Sequence, residues 1–107
     1  MSFDADKAYD SILRAGEDWA DKQAAADLLE ETRKSVLARL MIGADATSQG
    51  QREMYALADK EYTDYVEGMV NARKAANKAR VRYDSAKVLA EMRRSEESTR
   101  RAEMTMR

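Results

Sequence analysis

The eight residues GADATSQG, at 43–50, interrupt a chain of 107 residues that has no proline and only four glycines. Before them runs the apolar stretch VLARLMI, 36–42. A glycine after such a run suits the left-handed conformation that closes a helix, so Gly43 reads as a stop. Ser48 with Gln51 three residues later reads as a capping box that opens a new helix. Asp45 raises the alternative of a calcium loop, but no further carboxylates follow at ligand spacing. The stretch is therefore a turn between two helices, about 4–42 and 49–97.

The helix after the turn carries a clear period. Tyr55, Ala58, Tyr62, Tyr65, Met69, Ala72, Ala76, Ala79, Tyr83, Ala86 and Ala90 recur at alternating steps of three and four. That is a heptad seam, and it predicts one unbroken helix through 55–90. Ala at 58, 72, 79 and 86 lets a partner helix approach closely. The next seam positions are Arg93 and Glu97, where the apolar stripe stops. The helix before the turn is less regular. Tyr9, Ile12, Gly16 and Trp19 start in phase, which then drifts through QAAAD (23–27) and resumes as the pairs Leu28–Leu29, Val36–Leu37 and Leu40–Met41. Such a doubled stripe covers a wider face than one partner helix needs. Gly16 reads as a kink, with Asp18 capping a restart.

Folding the chain about the middle of the turn sets residue 4 near residue 89 and Gly68 opposite Ala25. The first helix then runs out where the Ala/Tyr seam ends, and the two features support each other. The expected fold is all-α: a long antiparallel helical hairpin over 1–97, coiled-coil-like with an Ala-rich seam. Residues 98–107 follow as a charged tail, frayed or helical. One hairpin leaves Leu13, Leu29, Leu37 and Ile42, with Leu57, Val66 and Val70, outside the seam. Their burial predicts self-association, two hairpins forming a helical bundle.

Charge is divided along the chain. Residues 1–72 hold 8 basic and 15 acidic side chains, and residues 73–107 hold 11 basic and 5 acidic ones, for a net charge of −1 overall. The most basic stretch, RKAANKARVRYDSAK (73–87), looks like a nucleic-acid arm when taken alone. In the hairpin it lies across from about 6–20, where Asp6, Asp10, Glu17 and Asp18 can answer it. A charge-matched helix pair is the preferred reading, and a nucleic-acid grip by Lys74, Lys78 and Arg82 the alternative. Arg93, Arg94, Arg100 and Arg101 in the tail are further candidate contacts for nucleic acid or a partner. They alternate with Glu91, Glu96, Glu97 and Glu103, which makes a poor polybasic anchor. The tyrosines on the seam, and Trp19, read as packing groups rather than platforms for bases.

Catalytic chemistry has little to stand on. With no His and no Cys, the hydrolase triads, thiolate catalysis and zinc sites are all out of reach, and no disulfide can form. No glycine-rich phosphate loop occurs. Neighbouring acids such as Glu17–Asp18 and Glu30–Glu31 diverge around a helix, and a two-helix chain offers no cleft for paired acids. The expectation is a protein that is not an enzyme, takes no cofactor or metal and has no small-molecule substrate. No 18-residue apolar run crosses a membrane, and the opening MSFDADKAYD lacks the order of a signal peptide, so the expected place is the cytoplasm.

The segment RVRYDSAKVLAEMRRSEESTRRAEM, 80–104, resembles the C-terminal stretch of small, charged, all-helical proteins encoded by tailed bacteriophages, in early regions near single-strand annealing recombinases. The resemblance covers about a quarter of the chain and carries no catalytic signature. It implies an accessory protein made in the bacterial cytoplasm. The secreted WXG-type hairpins match in length, but this chain has MIG (41–43) where they have Trp-x-Gly. It also lacks their tyrosine-led motif. The function expected is a non-catalytic interaction protein, an adaptor or an inhibitor. Its expected target is a protein partner in nucleic-acid metabolism or host defence.

Overall fold

A computed structural model describes residues 3–106. Among these, three helices follow one another: α1 (Ala5–Gly43), α2 (Gln49–Ala58) and α3 (Lys60–Met106). No strand occurs among the described residues. The fold is all-α, and α1 and α3 are the two long arms of a helical hairpin. The chain divides into two compact units, one of Lys22–Ala76 and one of the residues up to Asp21 with those from Asn77 onward. Both long helices therefore contribute to both units.

Local chemistry explains the ends. The Asp4 carboxylate accepts the N–H groups of Asp6 and Lys7, at 3.1 and 3.2 Å, and caps α1. Ser48 caps α2 as its sequence suggests, its hydroxyl accepting from the Gln51 N–H at 3.2 Å. Arg52 Nε donates to the Ala46 carbonyl at 2.9 Å and ties the turn to the helix that follows. Gly43 departs from expectation: no described glycine has a positive φ. The last turn of α1 instead tightens, with the Ala44 N–H bonded to the Met41 carbonyl at 3.2 Å. That bond satisfies a terminal carbonyl without a left-handed residue.

The unbroken helix expected through 55–90 is corrected. It is interrupted at Asp59, whose φ of −65° and ψ of 137° are extended. The Asp59 N–H closes α2 on the Ala56 carbonyl at 3.2 Å, while its carboxylate accepts the Glu61 N–H at 2.7 Å. One residue thus ends one helix and caps the next. A short acidic side chain offers the backbone this alternative to helix continuation. The tail, by contrast, stays helical through Met106.

The break resets the seam. Beyond it, Tyr62, Ala76 and Ala79 are buried and Tyr65, Met69, Ala72, Tyr83, Ala86 and Ala90 half-buried, as the heptads predict. Before it, Tyr55 and Ala58 are exposed and Ala56 is buried in their place. On α1 the inward face runs Ile12, Trp19, Lys22, Ala26, Leu29, Thr32 and Val36, with no loss of phase. The apparent drift through QAAAD arose because Lys22 and Thr32 fill inward positions. Tyr9, expected on this face, is exposed.

Register also differs from midpoint folding. In the Lys22–Ala76 unit, the Tyr65 hydroxyl donates to the Leu29 carbonyl and Arg73 reaches Asp27 and Glu30. Midpoint folding sets residue 73 across from residue 20, so Arg73 sits roughly two turns further along α1. In the other unit Arg82 faces Asp18. Only Ala56 of α2 is buried, so much of α2 serves the reversal of the chain and not the seam. Gly68 and Ala25, expected to face each other, are both exposed, and a Cβ on Gly68 would meet nothing within 4 Å.

Candidate functional site

The basic stretch lies on α3, where register decides which carboxylates answer it. Arg73 forms a fork on Glu30, Nε to Oε1 at 3.1 Å and Nη2 to Oε2, and Nη2 also donates to Asp27 Oδ1 at 2.5 Å. These hydrogen bonds, that to Glu30 first, raise the guanidinium pKa still further above its ordinary value. Arg82 stands 3.9 Å from Asp18, with both groups largely exposed. Lys87 lies 3.7 Å from Asp84 and 4.4 Å above the ring of Tyr83.

Of the four acids expected to meet this stretch, Asp18 does so. Asp10 instead pairs with Arg14 of its own helix at 3.0 Å. The charge-matched pair is present, but its acidic members are Asp18, Asp27 and Glu30. Lys74, Lys78 and Arg80 are exposed and make no ion pair among the described residues. In the tail Arg94 pairs with Glu91 at 3.1 Å. Arg100 and Arg101 both turn to Glu97, at 2.6 and 3.9 Å. The tail also has company from the chain at the start of α1: Phe3, Asp4 and Lys7 line an open groove with Arg93, Glu96 and Arg100.

Two aromatic arrangements hold the helices together. In the first, Trp19 and Tyr83 meet with ring centroids 5.4 Å apart, and Gly16 leaves room for the Tyr83 ring. Gly16 is therefore a place of close approach inside a continuous helix, with no restart capped by Asp18. In the second, the Tyr65 hydroxyl lies within hydrogen-bonding distance of Thr32, and Arg33 Nη1 donates to the Tyr62 hydroxyl at 3.4 Å. Sequence reasoning missed these partners. The signal was there, because a buried tyrosine needs a mate for its hydroxyl.

The residues expected to drive self-association separate into two groups. Leu13, Ile42, Leu57 and Val70 are exposed. Leu29, Leu37 and Val66 are half-buried within the Lys22–Ala76 unit. Among the described residues the buried hydrophobic ones are four alanines and Tyr62, while Leu28, Ile42, Met54 and Tyr55 are 60–82% exposed. Among the described residues no three acidic groups converge on a point that could hold a metal ion. Nor, among them, is any helix long and apolar enough to cross a membrane. No protein-family model, curated protein or solved structure matches this chain.

Proposed function

We propose that this chain is a non-catalytic interaction protein, an adaptor or inhibitor that presents helix faces to a protein partner. One observation carries the reading. The buried side chains are mostly alanine, and large apolar side chains such as Ile42, Met54 and Tyr55 stand on the outside. Isolated exposed apolar residues are ordinary, but Met54, Tyr55 and Leu57 are all exposed within the ten residues of α2, which suits a binding surface. The resemblance of 80–104 to phage accessory proteins supports nucleic-acid metabolism or host defence as the setting, in the bacterial cytoplasm. Self-association is part of the proposal, for the same reason of unburied apolar surface.

The test is affinity capture from phage-infected cells with wild-type bait beside bait carrying Ile42→Glu and Met54→Glu. A partner retained by the first and lost from the second supports the reading. Robust turnover of a substrate by the purified chain overturns it. The second reading is a nucleic-acid-binding module, favoured by the exposed, unpaired Lys74 and Lys78, one turn apart on α3.

A further inference from the structure

The outward face of α3 repeats the pattern of its inward face. Val81, Ser85, Val88 and Met92 follow one another at steps of four, three and four, and all are exposed. The same steps continue through Ser95, Thr99, Ala102 and Met106, again all exposed. Tyr83, Ala86 and Ala90 on the inward face are half-buried. Side chains two residues apart point to nearly opposite sides of a helix, so these are two separate stripes. A stripe of eight positions at heptad spacing is the pattern that a second helix covers. All of it lies within the unit made of the residues up to Asp21 and those from Asn77 onward.

The residues of the stripe and its flanks argue for one occupant. In a parallel pair of identical stripes each position meets itself, so Met92 meets Met92 and Ser85 meets Ser85. The flanks then set Glu91 against Glu96 twice, a like-charge contact. In an antiparallel pair, Met92 meets the second copy's Ser95, Val88 meets its Thr99, and Val81 meets its Met106. The central layer sets the long Met92 against the small Ser95, and Val81 meets the apolar Met106 at each end, which suits close packing. The flanking Arg82 meets the second copy's Glu103, again twice by symmetry. Leu89 then covers Glu96 of the other copy with its aliphatic side chain, and no like charges oppose each other.

We infer that a second copy of this chain docks on the outward stripe of α3, antiparallel, with the pair centred between Met92 and Ser95. The inference deepens the proposed self-association and rests on it. It assigns the interface to residues 81–106 in place of Leu29, Leu37 and Val66, which are half-buried within their own unit. Exposed apolar residues near the turn stay free for a different protein.

The test uses the full chain and two measurements. Sedimentation equilibrium should give a dimer, and Met92→Glu should weaken it by about tenfold or more with helicity unchanged. Ile42→Glu should leave the dimer intact. A wild-type monomer at about 100 μM, a concentration at which even weak specific pairs form, overturns both self-association and this interface. A dimer indifferent to Met92→Glu overturns the interface alone. The second measurement uses the absence of native cysteine. Chains carrying Val88→Cys mixed with chains carrying Thr99→Cys should form a mixed disulfide under mild oxidation, since bridged Cα atoms must come within about 7 Å. Chains carrying Ser85→Cys should not bridge to each other. Efficient Ser85→Cys homodisulfides without the mixed product overturn the antiparallel arrangement.

Discussion

A Cβ placed on Gly16 would stand 3.1 Å from Cε1 of Tyr83, so the tyrosine ring rests against bare backbone of α1. Two effects oppose each other at this glycine. Alanine is the better helix former by about 1 kcal/mol. Its methyl group would push the ring toward Trp19 and Lys87. Tyr83 is only half-buried and its ring can shift, so Gly16→Ala should leave stability near its starting value. Gly16→Leu should destabilise by about 1–3 kcal/mol, the usual range for overpacking. Adding Tyr83→Ala to Gly16→Leu should recover part of that loss, the mark of direct coupling. Trp19 is the single tryptophan, so its fluorescence reports on this contact alone. A Gly16→Leu chain as stable as wild type would contradict the close approach.

Asp59 should matter more than an exposed acid normally does. Asp59→Ala removes the acceptor for the Glu61 N–H, and loss of such a cap costs about 1 kcal/mol. It also removes the competitor that holds α2 and α3 apart, so the two helices should partly fuse. Backbone carbon shifts of residues 58–61 should move toward helical values while the melting temperature falls. A variant that keeps both the break and the stability of the parent would place the cause of the break elsewhere.

Arg73 provides a test of the charge pairing that does not involve nucleic acid. A guanidinium whose pKa is raised in the folded state contributes stability that is fully present below its unfolded value, itself far above neutrality, and that is lost only as pH climbs through the folded value. Arg73 therefore adds no pH dependence of its own near neutrality. The stability difference between wild type and Arg73→Gln should be small, constant across neutral pH, and largely erased by high salt. A difference that persists in 1 M salt, where the Debye length is about 3 Å, would point to packing of the arginine stem and not to charge.

The seam from Tyr62 to Ala90 could be read from sequence because alanines, tyrosines and Met69 occupy the inward positions there. On α1 the same period is hidden. Lys22 is half-buried there and Thr32 contributes a hydroxyl that meets Tyr65, and neither scores as apolar. The Ser48 cap was legible because it is a local, three-residue relationship. The Asp59 break was not, since an aspartate within a periodic stretch looks like any solvated charge. From that omission the rest follows: a symmetric fold about the turn places Asp6 and Asp10 opposite the basic stretch, whereas Arg73 meets Asp27 and Glu30. The outward stripe of α3 was present in the sequence too. Its serines and threonine diluted it, and only the exposure of all eight positions separates it from the inward seam.

Nucleic-acid binding should be weak and steeply salt-dependent. Of the cations proposed as contacts, Arg94, Arg100 and Arg101 already face carboxylates of their own helix, and Arg82 stands near Asp18. Phosphate would have to displace those partners at a cost close to what it gains. Lys74 and Lys78 carry no such cost. Two or three phosphate contacts give a slope of log affinity against log salt of about −2 to −3 on duplex DNA, too few to hold a complex at physiological salt. Replacing Lys74, Lys78 and Arg82 with Glu should abolish the residual low-salt binding and leave helicity intact, because none of the three is buried. Deleting 93–107 is the poorer probe, since Arg93, Glu96 and Arg100 share a groove with Phe3 and Asp4, and the deletion would disturb the start of α1. Fluorescence anisotropy with labelled single-stranded and duplex DNA across a salt series decides the matter. A nanomolar complex at physiological salt that survives the triple change would mean that another surface reads nucleic acid, and the adaptor reading would lose its place to the binding module.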